Sequence, residues 1–158
     1  MRTRIRLYIL LIISVIMQLT LKNHTAWMPD FILLMVVFAG IFLKGTEVFS
    51  FSFIAGILRG SFSGSTFYLD IFLFPAIGGA ALFLRNLFYR NNPVAQAFIT
   101  AVALCVVVMG HILYLNLGDF RAVDLLLVWA TSWRTVIMTI ILSPLIFLFL
   151  KKQIRIGE

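Results

Sequence analysis

Long uncharged apolar segments, separated by short polar connections, dominate this chain of 158 residues. The clearest of them runs from Phe31 to Leu43 and contains thirteen residues without a charge or a proline. Hydrophobic residues make up 62% of the chain and charged residues 12%, and the mean hydropathy is +1.07. A soluble domain of this length requires far more polar surface, so the sequence indicates an integral membrane protein.

At about 20 residues per membrane-spanning helix, the chain has room for five or six spans and little else. We therefore predict an all-α polytopic membrane helix bundle with about six transmembrane helices, forming a single transmembrane domain over 1–158. The stretch 119–134, in which an apolar run lies between polar residues, is interpreted as a possible interfacial helix anchored by tryptophans, and the pattern leaves open whether it crosses, lies flat or re-enters. The predicted spans cover 5–22, 29–43, 47–60, 69–84, 94–117 and 135–150.

The net charge of +7 arises from 13 Lys and Arg residues that stand singly or in short clusters beside apolar segments. This placement is typical of topology signals and not of a phosphate-binding stripe, so we expect no nucleic-acid partner. Six spans put both termini on one side, which then holds nine basic residues against three or four on the other. The positive-inside rule therefore predicts cytoplasmic N- and C-termini. The nine residues are Arg2, Arg4, Arg6, Lys44, Arg85, Arg90, Lys151, Lys152 and Arg155.

Residues that could carry catalysis are sparse. The chain has two histidines, His24 and His111, and one cysteine, and it shows no HExxH, CxxC or similar metal-ligand spacing. A serine protease pair of Ser61 or Ser63 with His111 is disfavoured, because serines are ordinary in a glycine-rich turn. We predict no enzyme activity, no cofactor and no metal. His111, near a helix end, is more often a capped or interfacial residue than part of a proton or ligand path.

Two features point to packing or partner binding. Pro29 suits the first turn of a helix, where its missing N–H is no loss, and Asp30 favours the positive end of the helix dipole. Gly56, Gly60 and Gly64 form a doubled G-x-x-x-G series that, in a helix, lets another helix approach closely. A packing role is favoured for Gly56, whereas Gly64 is better explained by a flexible turn.

Arg59 and Asp70 are the most informative charges, because a charge near membrane depth usually pairs or faces a cavity. They flank the same short connection, RGSFSGSTFYLD. Two interpretations stay open: the two side chains pair with each other, or both simply reach the membrane interface.

These residues resemble the MreD family of rod shape-determining membrane proteins. The resemblance rests on chain size, six short spans, the basic N-terminus and the motifs PDFILLMVVFAGIFLKG and FIAGIL followed by a Gly/Ser turn. The family commonly shows Pro-Asp before an apolar run, then G-L-L-x-D and a small-residue turn. The family's acidic residue falls on Gly60 here, which is a departure unless Asp70 substitutes for it in space. The residues that fit the pattern are Pro29, Asp30, Gly56, Ile57, Leu58 and Gly64.

The resemblance implies a non-catalytic component of the cell-elongation complex in the bacterial cytoplasmic (inner) membrane. Family members are similar in fold to the substrate-binding subunits of energy-coupling-factor transporters, and they bind MreC. MreB, a RodA-type glycosyltransferase and a transpeptidase penicillin-binding protein are further expected partners, with the lipid bilayer. The alternative is a small-molecule-binding subunit of such a transporter. The residues expected to serve partner binding or packing are Pro29, Asp30, Gly56, Arg59, Gly60, Gly64 and Asp70.

Overall fold

A computed structural model of the chain describes residues 2–22, 28–63, 66–87, 92–117 and 125–154. In this part of the chain the secondary structure consists of six α-helices, which confirms the predicted all-α bundle. Three helical segments are long and apolar enough to cross a membrane, namely Phe67–Leu84, Pro93–Leu117 and Ser132–Gln153. The helices are α1 (Arg2–Lys22), α2 (Phe31–Phe42), α3 (Gly45–Ser63), α4 (Phe67–Leu84), α5 (Pro93–Leu117) and α6 (Leu125–Ile154).

The second helix, α2, lies at the centre of the bundle. It contacts all five other helices, and every one of its residues from Ile32 to Phe42 is buried. Twelve residues give a helix only about 18 Å long, much shorter than the roughly 30 Å hydrocarbon core of a bilayer. A helix enclosed by protein has no lipid-facing surface to match, and this enclosure accommodates its short length and its nearly uniform apolar composition.

The other five helices form a ring around α2. The order around the ring is α1, α3, α4, α5 and α6, and the contact between α6 and α1 closes it. The α3–α4 contact is the most extensive, whereas α1 touches its two ring neighbours at few positions. Tyr8 of α1 meets Phe51 of α3 with the ring centroids 5.6 Å apart, and Arg6 donates a hydrogen bond to the carbonyl of Gln153 in α6 at 3.2 Å.

Small residues explain why α3 and α4 approach so closely. A Cβ atom built on Gly56 would lie 2.6 Å from the backbone oxygen of Asp70, and one built on Gly60 would lie 2.9 Å from the backbone oxygen of Phe67. On α4, a Cβ on Gly78 would clash with the hydroxyl of Ser52. The two backbones therefore meet along a face that only small side chains permit, which is the physical basis of small-xxx-small helix packing.

Two helix boundaries differ from the sequence interpretation. Pro29 stands before the N-cap and not in the first turn of α2, because Asp30 itself caps the helix and the first helical residue is Phe31. At the other end of the chain, α6 runs unbroken from Leu125 to Ile154, without a break before 135. Polar residues such as Ser132 and Arg134 suggested a break, but they are compatible with helix and here fall within one.

Candidate functional site: a polar cluster shared by six helices

Asp30 is the centre of a polar cluster at the end of the bundle where α2 begins. Its carboxylate accepts a hydrogen bond from the backbone N–H of Leu33 at 3.0 Å, which satisfies one of the free N–H groups of the first turn. The same carboxylate forms an ion pair with the guanidinium of Arg59. The backbone N–H of Asp30 donates to the hydroxyl of Thr139 at 2.9 Å. Asp30 is therefore buried, and both its carboxylate and its backbone N–H have partners.

Gln18 of α1 joins the same group through both ends of its side-chain amide. The amide nitrogen lies 3.4 Å from a carboxylate oxygen of Asp30, and the amide oxygen lies 3.4 Å from the backbone nitrogen of Ile32. The Gln18 amide therefore donates a hydrogen bond to the carboxylate that caps α2. It also accepts one from a backbone N–H in the first turn of the same helix. This contact ties α1 to the start of α2.

Arg59 of α3 connects the cap of α2 to the start of α4. Besides its ion pair with Asp30, its Nε atom lies 4.0 Å from a carboxylate oxygen of Asp70. The face of Phe74 lies below the guanidinium, with 5.2 Å from Cζ to the ring centroid, a distance at which a cation–π attraction operates. The Arg59 side chain is 19% exposed, whereas that of Asp70 is completely buried. One guanidinium therefore serves two carboxylates on two different helices.

Asp70 of α4 is bonded unequally at its two oxygens. Oδ2 lies 3.4 Å from the hydroxyl of Thr66, which donates to it. Oδ1 lies 3.2 Å from Nε2 of His111, but the described residues offer it no hydrogen bond of good geometry. The other ring nitrogen of His111 lies 2.8 Å from the carbonyl of Val107 in its own helix. A buried carboxylate held mainly by nearby charge and one hydroxyl is the least satisfied member of the cluster.

Each of the six helices contributes to this cluster, which we call the six-helix polar cluster. Its members contain two carboxylates, a guanidinium and an imidazole, so opposite charges lie close together. Within the described residues, no group of three or more His, Cys, Asp and Glu side chains is arranged to hold a metal ion. The arrangement is suited to fixing helix positions. Its members are Gln18, Asp30, Arg59, Asp70, His111 and Thr139.

The structure brings most of the predicted site residues together. Asp30, Arg59 and Asp70 share the cluster, and Gly56 lies directly against the backbone of Asp70. Of the two interpretations for Arg59 and Asp70, pairing is closer to what is found, although the direct partner of Arg59 is Asp30. Pro29 is buried beside the cluster, Gly60 contacts α4, and Gly64 lies outside the described residues.

Sequence reasoning missed three members of the cluster. His111 was interpreted as an interfacial residue, and neither Gln18 nor Thr139 was singled out. Each is a polar side chain set among mostly apolar residues of its helix, which is the signal that would have marked them, since such residues usually find a partner inside a membrane bundle. Ser61, by contrast, is exposed and donates to the carbonyl of Ile57 in its own helix at 2.8 Å.

Comparison with protein-family models gives a match over almost the whole chain. The matching model is described as rod shape-determining protein MreD, and it covers residues 1–153. Comparisons with curated proteins and with solved structures gave no match. The family match extends well beyond the motifs between Pro29 and Gly64 that carry the resemblance.

Proposed function

Because this chain belongs to the MreD family of rod shape-determining membrane proteins, we propose that it is a non-catalytic component of the bacterial cell-elongation complex that acts by binding MreC. The match over residues 1–153 carries the proposal. The six-helix polar cluster supports it, because its buried charges are directed at one another and hold helices in place. Such a bundle works through the surfaces that it presents to partners.

We propose that the chain spans the inner membrane six times with both termini in the cytoplasm. Arg6, Lys44, Arg85 and Lys151 all lie at the end of the bundle opposite the six-helix polar cluster, which we call the basic end. An accumulation of basic residues at one end favours the cytoplasmic side. The six-helix polar cluster then faces the periplasm.

In this orientation, the two ends serve different partners. The segments 22–30 and 59–70 are the proposed periplasmic contacts for MreC, and the six-helix polar cluster fixes the helix ends from which they emerge. The basic end is the proposed contact for cytoplasmic partners such as MreB and for anionic lipid. A RodA-type glycosyltransferase and a transpeptidase penicillin-binding protein are further proposed members of the assembly.

Affinity purification of the tagged full-length chain from native membranes in mild detergent tests this proposal. Mass spectrometry identifies both the proteins and the small molecules that co-elute. We expect MreC and wall-synthesis enzymes, and no small ligand at equal stoichiometry. A stoichiometric small ligand, or an ATPase pair of the energy-coupling-factor type, would instead assign the chain to the transporter class.

A matched pair of glycine variants then asks whether packing at the six-helix polar cluster matters for partner binding. Gly56→Leu forces a side chain against the backbone of Asp70, whereas a Cβ at Gly79 would lie 3.4 Å from the ring of Phe49, an ordinary contact distance. At equal protein levels, we expect Gly56→Leu, but not Gly79→Leu, to reduce recovery of MreC. Undiminished recovery and normal rod shape with Gly56→Leu would contradict a role for this packing.

A further inference from the structure

A cleft of about 310 Å³ separates α1 from α3 at the basic end of the bundle. Its walls are Tyr8 on α1 and Thr46, Glu47 and Ser50 on α3, and Leu43 at the end of α2 forms part of its floor. Both α1 and α3 belong to the ring around α2. Because the ring helices form the outer surface of the bundle, a cleft between two of them lies within reach of lipid in a membrane.

The cleft changes from polar to apolar along the helices. Its polar side chains lie near the start of α3, at the level of the basic residues. One helical turn farther from this end, Ile12 follows Tyr8 and Ile54 follows Ser50, and these side chains are 53% and 38% exposed. A polar recess with exposed apolar side chains one helical turn away matches a molecule with a polar head and an apolar tail.

The charged side chains around the cleft indicate the chemistry of the polar head. The described charged residues at this end are basic except for Glu47, whose carboxylate lies in the cleft wall. Lys44 is exposed in the turn next to the cleft residues Leu43 and Thr46. A carboxylate and hydroxyl groups in the recess suit an ammonium group, and a neighbouring lysine suits a phosphate.

We propose that this cleft binds phosphatidylethanolamine from the surrounding membrane. The ammonium group of the lipid lies against Glu47 and the hydroxyls of Thr46 and Ser50. Its phosphate lies towards Lys44, and its acyl chains lie along the exposed side chains of Ile12 and Ile54. The lipid thereby fills the gap between α1 and α3, next to the contact between the rings of Tyr8 and Phe51.

Native mass spectrometry of the purified full-length chain tests this assignment. The protein is delipidated and then exposed to equal amounts of phosphatidylethanolamine, phosphatidylcholine and phosphatidylglycerol in mixed micelles. We expect selective retention of phosphatidylethanolamine, because the trimethylated choline head cannot donate hydrogen bonds and the glycerol head carries no cation. Glu47→Gln should weaken this retention about tenfold, as expected for the loss of one charge-assisted hydrogen bond.

Two further variants separate lipid binding from general damage. Ser50→Leu fills the recess and should also abolish the preference for phosphatidylethanolamine. Ser61→Ala removes an exposed hydroxyl from the opposite end of the same helix and should leave the preference intact. Equal retention of the three lipids by the unmodified chain, or undiminished retention by Glu47→Gln, would overturn the proposal. A photo-reactive residue at position 50 that captures a protein in native membranes, and no lipid, would also overturn it and assign the cleft to a protein partner.

Discussion

The two ends of this bundle are built on opposite principles. At one end, each of the six helices supplies a side chain to a single buried polar cluster centred on Asp30. At the basic end, α1 and α3 stand apart around a cleft. The end of α2 is closed there by Arg85, which donates hydrogen bonds to the carbonyls of Gly40 and Leu43. Paired charges therefore hold the helices together at the cluster end, whereas a helix cap and apolar contacts do so at the basic end.

The difference has a physical consequence. Buried charges are costly unless they are paired, so the six-helix polar cluster tolerates only the arrangement in which Asp30, Arg59 and Asp70 stay together. The free energy of apolar contacts around an open cleft depends much less on exact interatomic distances than the free energy of paired buried charges does. We therefore expect the cluster end to be rigid and sensitive to single substitutions. At the basic end, the residues around the α1–α3 cleft should tolerate substitutions and adapt to lipid.

The largest effect should come from removing the shared cation. Arg59→Ala leaves the carboxylate of Asp30 buried without its ion-pair partner. Breaking a buried pair in this way typically lowers the free energy of unfolding by about 3–5 kcal/mol. Unfolding in mixed micelles by sodium dodecyl sulfate, followed by circular dichroism, measures this loss.

A double variant provides the control for that experiment. Arg59→Met combined with Asp30→Asn removes both charges but leaves a side chain at position 30 that can still cap α2. We expect this variant to recover part of the stability lost in Arg59→Ala, whereas the rest stays lost because the buried carboxylate of Asp70 still lacks the guanidinium. If the single and double variants are equally unstable, the ion pair is not what stabilises this end of the bundle.

The next effect concerns the small-residue contact that supports the cluster. Gly56→Ala places a methyl group 2.6 Å from the backbone oxygen of Asp70, so α4 must move and carry Asp70 with it. Overpacking of this kind costs about 1–3 kcal/mol.

Gly79→Ala is the matched control, since its methyl group meets only the ring of Phe49 at 3.4 Å. It should be neutral or slightly stabilising, because alanine favours helix over glycine. Equal stability of the two variants would contradict the close contact.

These contrasts also show what the sequence predicts well. Uncharged runs such as Phe31 to Leu43 predict helices in a membrane, because backbone groups must be satisfied internally there. The short length of α2 was evident from the sequence. Its central position was not, because a uniformly apolar helix contains no amphipathic pattern to show which face is buried.

The site was predicted only in part for a related reason. Asp30, Arg59 and Gly56 stood out because charges and spaced glycines are rare in apolar helices. Their partners were harder to assign: Asp30 and Thr139 are 109 positions apart, and the contact depends on how α6 packs against α2. Periodicity describes single helices, whereas a six-helix polar cluster is a property of their arrangement.

A smaller effect at the same end should follow from Thr139→Val. The substitution keeps the shape of the side chain but removes the hydroxyl that accepts the backbone N–H of Asp30 at 2.9 Å. Leaving a buried donor without a partner typically costs about 1–3 kcal/mol. Thr139 also donates to the carbonyl of Thr135 at 2.6 Å. That carbonyl belongs to α6 itself, so losing this second bond should matter little.

Thr20→Val is the control, because the Thr20 hydroxyl is exposed and bonds only within α1. Equal unfolding free energies of the two variants would show that the α6 contact is dispensable.

The smallest effect is expected from Glu47→Gln at the basic end. Glu47 is half-buried in the wall of the cleft and lies in the first turn of α3, where Gln keeps the length of the side chain but loses the favourable interaction of its charge with the helix dipole, about 0.3–1 kcal/mol. In detergent without phosphatidylethanolamine, the unfolding free energy should therefore lie within about 1 kcal/mol of that of the unmodified chain. With the lipid added, the unmodified chain should become more stable and the variant should gain less, because a ligand stabilises only the state that binds it. A large loss of stability without lipid would mean that the basic end is as strictly specified as the six-helix polar cluster. The contrast between the two ends would then fail.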